Sequence, residues 1–142
     1  MQWRCFRACV VLVAASGCGG ALPVDGAAAG TPSAVAQVRL FDPFGREITV
    51  HTALPDDQSL LVEVRLYDST GVRRINIPGG VQIVFRFDPD SLAHAQPILG
   101  QPFWQAVTPT AAVGTDGSLF VSVLFLADST TKTYRPIQVL VH

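Results

Sequence analysis

Four stretches of this chain alternate apolar and polar residues with a period of two, and no other feature limits the fold as strongly. Leu60, Val62, Val64 and Leu66 fall on one side of an extended segment, with Glu63 and Arg65 on the other. Val81, Ile83, Phe85 and Phe87 repeat the pattern against Gln82 and Arg86. Leu119, Val121, Val123 and Phe125 make a third run, and Ile137, Val139 and Val141 a fourth. Successive side chains of a strand point to opposite faces, so each run reads as a strand with one buried face. Val38 to Leu40, Ile48 to Val50 and Trp104 to Thr108 are weaker strand candidates. Turn-forming clusters separate them at 68–71, 78–80, 115–118 and 128–131, and Asp116-Gly117 carries a hairpin signal. Residues 89–94 offer one short helical turn at most. About seven antiparallel strands with frequent turns predict an all-β fold, a single sandwich over residues 35–142.

The first 34 residues do not share this pattern. Arg4 and Arg7 are the only charges before residue 25, and Ala8 to Ala15 is an apolar run. That run is far short of the roughly 20 residues a membrane-spanning helix needs. A basic start, a short apolar run and then small residues read as a cleavable export signal. All three cysteines, Cys5, Cys9 and Cys18, lie here. The folded part therefore has no disulfide framework and no thiolate metal site, and burial and hydrogen bonding must stabilise it.

Ala14-Ala15-Ser16-Gly17-Cys18 resembles the lipobox of bacterial lipoproteins. In that family small residues precede a cysteine that takes diacylglycerol on its thiol and becomes the first residue after cleavage. Ala15 stands where the family most often has Leu. The resemblance implies a signal peptide at 1–17 and a lipid on Cys18 that attaches the protein to a membrane. Gly19 follows the cysteine where Asp would signal inner-membrane retention, which points to the outer membrane. Ordinary secretory cleavage after Ala21 or within Ala27-Ala28-Ala29 is the alternative, and it would discard Cys18. Residues 18–34 comprise the lipidated Cys and a tether rich in Gly, Ala and Pro, whose reach as a coil is on the order of 20 Å.

Two of the ten basic residues lie in the signal, leaving eight against eleven acids from Cys18 onward, a formal charge of −3. A weakly acidic domain without Lys/Arg clusters argues against nucleic acid as a partner.

The segments LLVEVRLYDSTG, VQIVFRFDP, VGTDGSLFVSVLFLAD and YRPIQVLV resemble bacterial immunoglobulin-like domains over about residues 58–142. Those domains place an Asp-x-x-Gly after one strand, a V-x-F strand, a Thr-Asp-Gly turn and a closing V-x-V strand. The resemblance implies an immunoglobulin-like sandwich. Transthyretin-like and fibronectin-type sandwiches fit the same pattern, and the Cys–Trp–Cys core of antibody domains is absent.

No nucleophile elbow, His-Glu-x-x-His, P-loop or dinucleotide fingerprint occurs, and nothing calls for a cofactor or a metal ion. His51, His94 and His142 are far apart and read as surface or loop residues. Lys132, the only lysine, reads as a solvated charge in a turn. The acids of the Phe-Asp-Pro repeats (Asp42, Asp88) and at 56, 57, 68, 90 and 116 read as strand ends and turn caps. The alternative reading is Ca²⁺ binding by loop carboxylates at one pole, as in some immunoglobulin-like modules, although the spacing here matches no known Ca²⁺ loop. Phe103 and Trp104 sit in a loop-like stretch, where an aromatic pair either plugs the sandwich or contacts a ligand. Phe120, Leu124 and Leu126 lie opposite the third apolar run and form a protein-binding patch if that face is open.

These readings lead to a lipid-anchored, non-catalytic envelope module that binds another envelope protein or supports an assembly. Binding of a carbohydrate or cell-surface polymer at Phe103 and Trp104 is the alternative. Hydrolysis by Asp88 and Asp90 ranks last, because adjacent acids rarely give the opposed ~5–9 Å geometry that glycosidases use.

Overall fold

The computed structural model describes residues 35–142, and every described element is a strand or a connection between strands. The ten strands are β1 (Gln37–Phe41), β2 (His51–Leu54), β3 (Leu60–Tyr67), β4 (Arg73–Arg74), β5 (Val81–Asp88), β6 (Ala93–Ile98), β7 (Gln101–Pro109), β8 (Asp116–Phe125), β9 (Thr130–Thr133) and β10 (Ile137–Val141). They form a β-sandwich. One sheet runs β1-β3-β7-β6 with β4 beside β3, and the other runs β2-β10-β8-β5 with β9 beside β8. Strands β1-β3-β7-β6 and β10-β8-β5 follow the order of the two sheets of a constant-type immunoglobulin sandwich.

Ten short strands occupy about seven strand positions. β9 and β10 pair with consecutive stretches of β8, and residues 134–136 interrupt what is otherwise one strand. The first strand is also split: β1 pairs antiparallel with β3, and after a turn β2 pairs parallel with β10 in the other sheet. The chain crosses over between them with Thr49 Oγ1 accepting from the Leu40 amide at 2.9 Å and the Ile48 amide bonding to Leu40 O at 2.8 Å. The strand expected at 48–50 therefore lies slightly later, at 51–54.

The four alternating runs place their apolar sides inward. Val62, Val64, Leu66, Val121, Val123 and Phe125 are almost completely buried, and Leu60 and Phe85 are half-buried against the same core. Gln105 is the one polar side chain of β7 drawn inside. Its amide donates to Ile83 O at 3.2 Å and ties the two sheets together, so the buried amide is not left unpaired.

Several expectations need correction. The loop-like stretch holding Phe103 and Trp104 is strand β7, and residues 93–98 form β6, which pairs with it. The turn expected at 128–131 gives way to β9 from Thr130. Asp116 and Gly117 are not a hairpin turn; they open β8, opposite Leu140 and Val139. The turn itself lies just before, where Gly114 has φ 87° and its amide bonds to Val141 O. Lys132 is not simply solvated, since its ammonium donates to Val35 O at 2.6 Å.

Candidate functional site

Alternation along β7 sends Phe103 and Trp104 to opposite faces. Phe103 packs against the core, whereas Trp104 lies outward, opposite Glu63 of β3 and half-buried. The two rings therefore do not form one stacking pair. Trp104 instead joins a different group, assembled by the register of β1, β3, β4 and β7.

The outer face of this sheet brings Gln37 opposite Tyr67, Arg39 opposite Arg65, and Phe41 opposite Glu63. Arg73 of β4 sits across from Tyr67. The Arg65 guanidinium lies over the Phe41 ring, 3.8 Å from its centroid, and Arg39 lies 4.6 Å over Tyr67. These stacked contacts combine cation–π attraction with planar packing. Glu63 is the hub. It accepts from Arg65 Nε at 2.8 Å and from Arg73 at 2.6 Å while being only 9% exposed. Burial pushes the Glu63 carboxyl up, but the two guanidiniums outweigh it and carry the group below its ordinary range. The result is an ordered surface of three arginines and three aromatic rings around one buried carboxylate.

Two turns flank this surface and share one design. Asp42 Oδ1 accepts from the Phe44 and Arg46 amides at 2.9 Å, and Asp68 Oδ1 accepts from the Thr70 and Val72 amides at 2.8 and 2.9 Å. An arginine reaches the other oxygen in each, Arg46 on Asp42 and Arg74 on Asp68, both at 2.6 Å. Gly45 and Gly71, three residues after each Asp, take positive φ. Asp-x-x-Gly is thus a turn-closing device, with the carboxylate filled by its own backbone amides. Asp88 and Asp90 lie at the end of β5 and in the connection after it. Among the described residues, no three His, Cys, Asp or Glu side chains come together.

A groove of about 460 Å³ opens where the first strand changes sheets, between residues 36–39 and 134–137. Tyr134 borders it and donates to Val35 O at 3.3 Å; burial pushes its phenol up to about 12, so it stays protonated at neutral pH. Neither this groove nor the apolar depression over residues 97–102 is lined by Asp88 or Asp90. On the outer face of the second sheet, Phe120 and Leu124 are half-buried and Leu126 is exposed, with Arg86 4.9 Å over Phe120. Of the sequence candidates, Cys18 lies outside the described residues.

The carboxylates give a testable acid limit. In Asp68, the Thr70 hydroxyl, then the Val72 amide, hold the carboxyl well below its ordinary value; Asp128 is lowered mainly by Thr130. Asp42 is lowered by its Arg46 and Phe44 bonds against the upward push of burial. Folding therefore favours the ionised forms. Their stabilisation is fully present above the unfolded values of 3.8 for Asp and 4.5 for Glu, and it is lost as pH falls through the folded values. Urea midpoints should decline as pH drops below the Glu value, and Asp68→Asn should flatten the decline at its acid end. A midpoint that rises on acidification contradicts this assignment.

Compared with protein-family models, with curated proteins and with solved structures, the chain matches none.

Proposed function

We propose that this chain is a lipid-anchored cell-envelope protein that works by binding rather than by catalysis, holding another envelope protein on the outer face of the β1-β3-β7-β6 sheet. The observation that carries the reading is the Arg–aromatic surface around Glu63. Tyr, Trp and Arg are the residue types that dominate binding energy at protein interfaces. Here Arg39 and Arg65 are held over aromatic rings, and Glu63 fixes Arg65 and Arg73. Less side-chain freedom is lost when a partner arrives. The half-exposed guanidiniums of Arg39 and Arg73 suit a partner with carboxylates at its contact surface. Attachment through Cys18 rests on the lipobox resemblance and would keep the domain at the membrane that such a partner shares.

Two measurements test this. Mass spectrometry of the mature protein from its own membranes should find Cys18 as the first residue with acyl mass; a chain beginning beyond Cys18 sinks the anchor. Cross-linking in those membranes should yield a partner adduct that Trp104→Ala weakens by at least about 2 kcal/mol, as for an interface hot spot. If the adduct forms equally with Trp104→Ala of unchanged thermal stability, the face is wrong. A second reading, a cell-surface polysaccharide stacking on Trp104, is supported by the outward position of that ring. It predicts saturable quenching of Trp104 fluorescence by purified surface polymer.

A further inference from the structure

The pole of the sandwich at which the chain enters combines exposed apolar side chains with a slight excess of basic residues, and the opposite pole is acidic. β1 begins at Gln37 opposite Tyr67, the last residue of β3, so the entry point shares a pole with the connections at 68–72, 75–80, 99–100 and 126–129. Lys132 and Tyr134 bind the Val35 carbonyl and hold the start of the domain near it. Leu99, at the tip of the β6–β7 turn, is 100% exposed, and no residue from Pro97 to Pro102 is charged. Val72, Ile75 and Leu126 are exposed on the same pole. Its charges are Arg73, Arg74 and Lys132 against Asp68 and Asp128. The opposite pole carries Asp42, Asp56, Asp57, Asp88, Asp90 and Asp116 against Arg46 and Arg86. Phe44 and Val113 are also exposed there, but among those acids.

We propose that the entry pole docks on the lipid surface to which Cys18 tethers the chain, with Leu99 entering the boundary between headgroups and acyl chains. This rests on the lipid-anchored reading above. Sixteen residues separate Cys18 from Val35. Even fully extended, a chain of that length spans no more than about 60 Å, so the anchor keeps the entry pole within that distance of lipid, at an effective concentration far above that of a free domain. A ten-residue strand such as β8 spans roughly 33 Å, which puts the acidic pole about that much farther away. Anionic headgroups repel that pole and attract Arg73 and Lys132. Exposed leucine and isoleucine gain by transfer into the interface, which favours lipid over water as the neighbour of this pole. The outer face of the first sheet then stands to the side, open to a partner in the same membrane.

The test couples Cys18, the only cysteine of the 18–142 chain, to a maleimide-headgroup lipid in phosphatidylcholine vesicles containing phosphatidylglycerol. Amide hydrogen exchange is then compared with the uncoupled chain. Docking predicts several-fold slower exchange around 97–102 and 126–130, no change around 111–115, and loss of the slowing in Leu99→Glu. Unchanged exchange at both poles, or slowing at the acidic pole, overturns the proposal. So does slowing that appears only when other envelope proteins are added, which would mark a protein partner. Because the coupling is chemical, these outcomes do not depend on whether the cell lipidates Cys18, which acyl mass decides separately.

Discussion

Gly117→Ala is expected to destabilise the domain by about 3 kcal/mol, the upper end of the usual cost of overpacking. A Cβ on Gly117 would lie 2.5 Å from Asp88 O, 2.8 Å from Leu92 Cδ2 and 3.2 Å from Pro89 Cδ. The first of these is backbone and cannot rotate away. Asp88 pairs with Ser118 at the end of the β5–β8 ladder, so relief requires β5 to shift against its neighbour. Leu92 is fully buried, so its methyl has little room to move either. The contrasting variant is Gly114→Ala, where nothing lies near the new Cβ but φ is 87°. There the cost is that of a left-handed residue, about 1–2 kcal/mol. Urea denaturation with unchanged m-values separates the two. Equal effects would mean that the close approach of β8 to the β5–β6 connection is absent.

The same glycine shows why part of the fold was legible and part was not. Asp-Gly between apolar runs is a hairpin signal, yet Gly117 is chosen for the proximity of a carbonyl 29 positions away, which no local pattern records. β3, β5, β8 and β10 were readable because apolar residues alternate over several positions. β6 reads Ala-His-Ala-Gln-Pro-Ile and β9 reads Thr-Thr-Lys-Thr. β6 has only the small Ala93 and Ala95 on its core side and β9 has no apolar residue, so each is a strand because a neighbour with a strong pattern offers it hydrogen bonds. The candidate site was half legible. Trp104 stood out as a large aromatic, and its outward direction follows from alternation once β7 is recognised as a strand. Glu63 and Arg65 were visible as the polar side of β3. That Arg39 and Arg73 join them depends on the pairing of β1 and β4, which the sequence of either strand leaves open. Lys132 illustrates the same limit, because its acceptor is 97 residues away.

Phe125→Ala should cost about 3–5 kcal/mol, the range for truncating a buried aromatic side chain. Phe125 is 1% exposed and ends β8, paired with Val81 of β5 on one side and Thr130 of β9 on the other. Both neighbours are hydrogen-bonded to the same strand, so the backbone around the void cannot close in, and a site that cannot collapse gives the larger losses. The next residue supplies the internal control. Leu126 is also a large apolar side chain, but it is 50% exposed, and Leu126→Ala should stay within about 0.5 kcal/mol. The loss in Phe125→Ala should also reach the β8–β9 hairpin, since Thr130 is its nearest pairing partner there. Amide exchange at 130–133 should then accelerate more than at 137–141, which pairs with the far end of β8. Nearly equal losses for Phe125→Ala and Leu126→Ala would reverse the facing of β8. The inward stripe of Leu119, Val121, Val123 and Phe125 depends on that facing.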